Sequence, residues 1–124
     1  GLQGFSDCRG RKISQVGYNM AIDLLRFDGD WNDKKSKIIY SYPVSSEKYF
    51  RSVWEVGISE TGLKLFKDEG SFTPNQKDEV IDELNKLMKW CDKNNHLRMH
   101  SRIEELIAVI QEESQKSNEP FYIF

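Results

Sequence analysis

Residues 73–95 have the sequence TPNQKDEVIDELNKLMKWCDKNN, and this stretch decides the fold because it predicts a long helix with one apolar face. Thr73 and Gln76 have the spacing of a capping box, and Pro74 suits the first helical position. Acidic residues come early and lysines late, which matches the helix dipole, and Asn94 favours a stop. The apolar stripe, which needs a partner surface, consists of Val80, Leu84, Leu87, Met88 and Cys91.

A second amphipathic helix is predicted from Asn95 to about Glu113. Because the connection between the two helices is short, they should form an antiparallel pair. Residues 114–120 are polar, and we expect them to be flexible. The apolar run at residues 121–124 should dock as a short strand or a buried plug. The stripe of this second helix consists of Met99, Ile103, Leu106, Ile107 and Ile110.

The N-terminal part of the chain predicts a further helix. Residues 1–11 are rich in small and polar side chains, and we expect them to be flexible. From about Lys12 to Phe27 the apolar residues recur with a helical period, and Asp28-Gly29-Asp30 should end this helix. The apolar line consists of Ile13, Val16, Met20, Leu24 and Phe27.

The segment between this helix and the central one predicts antiparallel strands. Lys37 to Val44 is rich in β-branched and aromatic residues, as strands are. Residues 50–58 alternate in polarity, which favours a second strand, although a helix over residues 49–54 is a competing interpretation. Glu60-Thr61-Gly62 is typical of a hairpin turn and leads into a third strand. The short turns predict a meander.

Together these elements predict a single α+β domain over residues 1–124. It should contain an N-terminal helix, an antiparallel sheet of three or four strands, and a C-terminal antiparallel helix pair packed on one sheet face. The composition agrees with a globular domain, since 38% of the residues are hydrophobic and 31% are charged.

The sequence also indicates the cellular compartment, the state of the cysteines and the overall charge of the protein. No apolar run approaches the roughly 20 residues of a membrane span, and the first residues lack a secretion-signal pattern, so we expect a cytoplasmic protein without a membrane partner. A reducing compartment disfavours the alternative of a Cys8–Cys91 disulfide, and Cys91 on the apolar stripe should be a buried free thiol. With a net charge of −2, the surface as a whole does not attract polyanions.

Asp28, Asp30 and Asn32 resemble the opening of a calcium-binding loop. The resemblance fails further on, because Asp33 stands where the loop requires Gly and Ile39 stands where it requires Glu. This stretch is better interpreted as a surface turn rich in Asp and Asn.

His96, His100 and Glu104 are spaced four residues apart in the last predicted helix. Two His at this spacing can share a zinc ion, but the Glu of the metalloprotease motif is missing and no third ligand is apparent. We therefore predict no metal, no cofactor and no catalytic residue, and assign both His side chains to packing or helix-end hydrogen bonds. The alternative is a small hydrolase or nuclease in which His96 or His100 works with Glu104.

A second alternative is a nucleic-acid-binding module, because lysines precede apolar and aromatic residues over residues 34–40. The overall charge argues against it.

The interpretation we favour is a non-catalytic protein-binding domain of the immunity or inhibitor type, which neutralises a basic toxin or nuclease. It depends on the small size of the domain and on the lack of a catalytic motif. Two acidic regions are candidates for the partner-binding surface: the side of the last helix away from its stripe, and the Asp-rich turn. Their residues are Glu105 and Glu112, and Asp28, Asp30 and Trp31.

Overall fold

The structure is a computed structural model that describes residues 21–124 and, before them, only two short strand segments, Cys8–Arg9 and Arg11–Lys12. Apart from those strand residues, the predicted flexible segment at residues 1–11 lies outside the described residues. Residues 21–124 form an α+β fold with a four-stranded antiparallel sheet and three helical segments, two of which pair at the C-terminal end. The predicted class, sheet and C-terminal helix pair are thereby confirmed.

The sheet consists of β1 (Ala21–Phe27), β2 (Ile38–Ser46), β3 (Ser71–Phe72) and β4 (Phe121–Ile123). Its spatial order is β2-β1-β4-β3, and every neighbouring pair is antiparallel. Leu24 of β1 pairs with Tyr42 on one side and with Ile123 on the other. Two predictions are confirmed here: the strand that begins near Lys37, and the docking of residues 121–124 as a strand.

The predicted helix from Lys12 to Phe27 is wrong where it can be compared with the structure, because Ala21–Phe27 is a strand. Its earlier part, residues 13–20, lies outside the described residues. The physical reason for the error is that β1 is buried on both faces. Leu24 is buried on one face, and Leu25 and Phe27 are 3% and 4% exposed on the other. A nearly continuous apolar run has no period that separates a strand from a helix.

The first helical segment, α1, spans residues 47–61 and is also a correction. It contains the α-helical stretches Glu47–Tyr49 and Glu55–Thr61, with the π-helical stretch Phe50–Trp54 between them. The strand predicted over residues 50–58 is therefore wrong, and the competing helical interpretation of residues 49–54 is right. Gly62 is the left-handed C-cap of α1 at φ 74°, so residues 60–62 form no hairpin. The predicted third strand is a loop, and the sheet is not a meander.

The C-terminal helices match the sequence-based prediction closely. A 3₁₀ turn at Pro74–Gln76 leads into α2 (Lys77–Lys93), and the capping box between Thr73 and Gln76 is present. The helix α3 spans Leu97–Ser114. Both predicted stripes are buried, with Ile107 and Met88 only partly covered at their margins. The fully buried members are Val80, Leu84, Leu87, Cys91, Met99, Ile103, Leu106 and Ile110.

The sheet has two different faces. Its inner face packs against all three helices in one hydrophobic core, to which α1 contributes Phe50 and Trp54. Tyr122 and Phe27 lie on the opposite, outer face, because side chains alternate along a strand. The inner-face residues are Ile22, Leu24, Val44, Phe72, Phe121 and Ile123.

Arg26 is buried in this core at 1% exposure. Its guanidinium donates hydrogen bonds to the backbone carbonyls of Glu113, Ser117 (2.9 Å) and Glu119. It also lies 4.2 Å from the ring centroid of Phe121. One side chain of β1 therefore tethers the segment that runs from the end of α3 into β4. A buried charge with this many partners costs several kcal/mol to leave unpaired.

Among the described residues, no helix has both the length and the apolar character needed to cross a lipid bilayer.

Candidate functional site

The connection between β1 and β2 is organised by aspartate side chains. The carboxylate of Asp28 accepts from the backbone N–H of Lys37 at 2.8 Å, and that of Asp30 accepts from the N–H of Asn32 at 3.0 Å. Asp33 accepts from the N–H of Lys35 in the same way, at 2.9 Å. The bonds of Asp30 and Asp33 each span two residues and mimic backbone turns, whereas the bond of Asp28 joins the two ends of the loop. The Asp-rich turn predicted from the sequence thus has a structural basis.

This loop places Trp31 against two aromatic side chains at the end of the chain described here. The ring centroid of Trp31 lies 6.0 Å from that of Tyr122 and 5.5 Å from that of Phe124. Tyr122 also meets Phe27 edge to face at 5.8 Å. Trp31, Tyr122 and Phe124 are each partly exposed, and we call these three residues the aromatic cluster.

The aromatic cluster forms one wall of a cleft of about 400 Å³, which we call the Trp31 cleft. Burial and then the charges of Asp30 and Glu119 raise the pKa of Tyr122. The opposite wall is polar. Its residues are Arg51, Asp68, Glu69, Gly70 and Ser71.

Arg51 is the cation of the Trp31 cleft, but carboxylates surround it. It donates to Asp68 and to Glu55 at 2.6 Å each, and to Glu47 at 3.3 Å. Partial burial lowers the pKa of Arg51, and the hydrogen bonds to Asp68 and Glu55 outweigh this effect and hold the pKa above its ordinary value. With Arg51 against Asp68 and Glu69, the lining of the Trp31 cleft has a negative balance of charge.

The loop of residues 63–70 that carries the polar wall is held firmly. The carboxylate of Glu83 accepts the backbone N–H groups of residues 64–66 at 3.0–3.2 Å. Glu69 has a left-handed backbone (φ 61°), and its N–H donates to the carbonyl of Ile123 at 2.7 Å. A Cβ on Gly70 would lie 2.5 Å from the carbonyl oxygen of Leu65, so the chain passes too closely there for any other residue. Asp68 and Glu69 are therefore presented by a fixed backbone.

The predicted partner-binding residues fall into two separate places. Asp28, Asp30 and Trp31 share the loop beside the aromatic cluster, whereas Glu105 and Glu112 lie on the exposed side of α3. Glu105 accepts a hydrogen bond from the hydroxyl of Tyr42. Glu112 lies 3.9 Å from the ammonium of Lys116. Trp31 packs on the outer side of the sheet and α3 on the inner side, so these residues do not form one continuous site.

Sequence reasoning did not place Tyr122, Phe124, Asp68 or Glu69 in the site. The apolar run at residues 121–124 was a signal for docking, but it did not indicate where the run docks. Asp68 and Glu69 carry no local pattern that marks them.

The two histidines lie outside the Trp31 cleft. His100 contacts Asp92 through Nδ1 at 2.6 Å and Glu104 through Nε2 at 3.7 Å. His96 stacks on Trp90 with ring centroids 5.1 Å apart. Within residues 21–124, no three His, Cys, Asp or Glu side chains are grouped so that they could hold a metal ion.

Cys91 is a free thiol with no exposed surface, as its place on the stripe predicts. Burial, together with the charge of Asp92, raises the pKa of Cys91 to about 11, so the thiol is protonated at neutral pH and is a poor nucleophile.

The Trp31 cleft combines partly exposed aromatic rings with carboxylates on a rigid backbone, which is the chemistry that recognises a cationic side chain. No protein-family model, curated protein or solved structure matches this chain.

Proposed function

We propose that the protein is a non-catalytic protein-binding domain of the immunity or inhibitor type, which neutralises a basic toxin or nuclease by taking one of its Arg or Lys side chains into the Trp31 cleft. The observation that carries the proposal is the aromatic cluster, in which the ring centroids of Tyr122 and Phe124 lie 6.0 and 5.5 Å from that of Trp31, together with the carboxylates of Asp68 and Glu69 on the opposite wall.

The energetics of such a contact favour the aromatic residues as the main source of affinity. A guanidinium or ammonium over a Trp or Tyr face contributes about 0.5–2 kcal/mol, depending on how far it is desolvated. Buried aromatic anchors dominate protein interfaces, and carboxylates at the rim mainly raise the association rate. Because the loops on both sides of the Trp31 cleft are fixed by hydrogen bonds, little conformational entropy is lost on binding.

Glu105 and Glu112 have a different role in this proposal. They lie on the far side of the sheet from Trp31, so they add to the long-range attraction of a basic partner without touching the side chain in the Trp31 cleft.

The test is to identify a basic partner by affinity capture from the native host and to measure its binding kinetics with purified variants. Trp31→Ala should weaken the affinity at least about thirtyfold, as expected when a hot-spot residue worth about 2 kcal/mol is truncated. Leu97→Ala is the matched control, because Leu97 is a large hydrophobic residue that is 70% exposed elsewhere on the surface. It should leave the affinity unchanged.

A second pair of variants separates local from long-range charge. Glu69→Lys and Glu112→Lys change the net charge equally, but only Glu69 lines the Trp31 cleft. We expect Glu69→Lys to slow association and also to speed dissociation, and Glu112→Lys to slow association alone. Equal effects of the two variants, or normal binding by Trp31→Ala, would contradict the proposal. Loss of biological activity in His100→Ala, with Trp31→Ala fully active, would favour the hydrolase or nuclease alternative instead.

A further inference from the structure

A second cleft, of about 260 Å³, lies at the other end of β2 from the Trp31 cleft. It is bounded by the end of β2, the start of α1 and the first turns of α3. Its floor is apolar and consists of three side chains from the core, Val44, Trp54 and Met99, which are 2%, 1% and 2% exposed. Its rim is polar. The rim residues are Ser45, Ser46, Tyr49, Arg98 and Arg102.

The two arginines of the rim are four residues apart on α3, which places them on the same side of the helix. Arg102 is held in place because its Nη1 donates to the carbonyl of Pro43 at 3.0 Å and to the hydroxyl of Tyr42 at 3.3 Å. Its guanidinium also lies 5.6 Å from the centroid of the Tyr42 ring. Arg98 is exposed, and in the part of the chain that the structure describes it forms no ion pair.

Two carboxylates that lie close in sequence to rim residues, Glu47 and Glu105, have other hydrogen-bond partners. Glu105 accepts a hydrogen bond from the hydroxyl of Tyr42, and because Arg102 donates to the same hydroxyl, Glu105 offsets part of the charge of Arg102. Glu47 pairs with Arg51 at 3.3 Å, away from this rim. The rim therefore has a positive balance of charge, in contrast to the Trp31 cleft.

The serines of the rim add hydrogen-bond donors. The hydroxyl of Ser46 accepts from the backbone N–H of Tyr49 at 3.2 Å, which leaves its own proton available to an incoming oxygen. The hydroxyl of Ser45 donates to the carbonyl of Ser46 at 2.9 Å and can rotate toward a stronger acceptor.

We propose that this second cleft binds a small phosphate monoester, with the phosphate between Arg98, Arg102 and Ser46 and the organic group on the floor of Val44, Trp54 and Met99. Two guanidinium groups, even with the charge of Arg102 partly offset by Glu105, favour a phosphate monoester, which carries about −1.5 to −2 at neutral pH. A carboxylate offers only one negative charge. A cleft of about 260 Å³ admits a group of roughly the size of phenyl phosphate. The proposal is independent of the function assigned to the Trp31 cleft.

The test is a titration of the intact protein, followed by amide chemical shifts at constant ionic strength, with phenyl phosphate, inorganic phosphate and benzoate as probes. We expect phenyl phosphate to produce saturable shifts at Ser45, Ser46 and Met99. Benzoate, which has the same ring but one charge, and inorganic phosphate, which lacks the ring, should each bind at least about tenfold more weakly. Tight binding of benzoate, or equal binding of inorganic phosphate, would overturn the assignment to a phosphate monoester.

Variants decide whether the shifts report this cleft. Arg98→Gln should weaken the binding of phenyl phosphate about tenfold. It should leave the melting temperature unchanged, since Arg98 is exposed. Ser46→Ala should weaken the binding of phenyl phosphate as well, although loss of the helix cap also lowers the stability of the fold. Lys34→Gln removes the same charge from the loop that precedes β2 and should leave binding unchanged. The proposal fails if phenyl phosphate does not saturate, or if Arg98→Gln binds it as well as the original protein does.

Discussion

Asp23 shows how the environment of a single residue makes stability depend on pH. It lies on β1 between the buried residues Ile22 and Leu24, and its backbone exchanges hydrogen bonds with Phe124 at 2.9 and 3.1 Å. Burial raises the pKa of Asp23 from an ordinary 3.8 to about 6. The folded protein therefore holds this proton more tightly than the unfolded chain does.

The sign of the pH dependence follows from that difference. The contribution of Asp23 to stability is fully present below pH 3.8 and is lost as the pH rises through about 6. Asp23→Asn should therefore raise the free energy of unfolding at pH 7.5 by up to about 3 kcal/mol, and by much less at pH 4.5. Urea unfolding at the two pH values measures this. Asp78→Asn is the control, because its carboxylate is 91% exposed, and it should give the same small change at both.

Residue-level predictions from the sequence succeeded where the chemistry is local. The Asp-rich turn around Trp31 was recognisable because Asx turns depend only on neighbouring residues. The partners of Trp31 were not recognisable, because Tyr122 and Phe124 come from the far end of the described chain. Such a site depends on strand pairing, which no short stretch of sequence specifies.

At the scale of elements, α1 illustrates how close packing depends on one glycine. Gly57 faces α2, and a Cβ at this position would lie 2.8 Å from Leu87 Cδ1 and 2.8 Å from Trp90 Cε3. Both of these atoms belong to ring or branched side chains within the packed interface between the helices. Trp90 is further fixed by the bond from its indole N–H to Glu60 at 2.8 Å. The interface therefore has little room to adjust.

Gly57→Ala should lower the free energy of unfolding by about 1–3 kcal/mol, as overpacking does in a tight core. Without the clash, the same substitution would stabilise a helix by about 1 kcal/mol. Gly62→Ala is the comparison, because a Cβ added there would meet no atom within 4 Å beyond its chain neighbours, so that the cost comes from the φ of 74°. Leu87→Ala makes room for the added methyl group. The double variant Gly57→Ala/Leu87→Ala should therefore lose less free energy of unfolding than the sum of the two single losses, as measured by denaturant unfolding. Purely additive effects would exclude the clash with Leu87.

The helices differ in how well their sequences predict them. The helices α2 and α3 have long apolar stripes with a helical period, and α2 also has a capping box, so both were predictable. In α1 the buried residues Phe50, Trp54 and Ile58 are four positions apart. That spacing fits one side of a helix and also one face of a strand, so periodicity could not decide. Val56, which the strand prediction places in the core, is 43% exposed.

At the scale of the whole molecule, the sequence predicted the class of the fold but not its topology. A mixed domain with a C-terminal helix pair follows from local patterns. The order β2-β1-β4-β3 does not, because β4 inserts between strands that lie about 50 and 100 residues earlier in the chain. Buried Arg26 supports this arrangement by tethering the segment that delivers β4. An arginine within a strand gives no sign of such a role in the sequence.

The insertion of β4 means that two adjacent residues serve different purposes, because successive side chains point to opposite faces of a sheet. Phe121 is fully buried on the inner face, where its ring stacks on Phe72 with centroids 4.8 Å apart. Tyr122 is partly exposed on the outer face, where it supports Trp31. Stability and binding should therefore separate between these neighbouring positions.

Phe121→Ala should lower the free energy of unfolding by about 3–5 kcal/mol, because it opens a cavity in the core and removes the ring beneath Arg26. Tyr122→Ala should destabilise the fold clearly less. It should also weaken the binding of the proposed basic partner, because it removes one ring of the aromatic cluster. Denaturant unfolding and binding kinetics on the same two variants measure both effects. Equal stability losses would contradict the two-faced sheet. Normal partner binding by a folded Tyr122→Ala would separate the aromatic cluster from function, since the fold would be intact and only the surface changed.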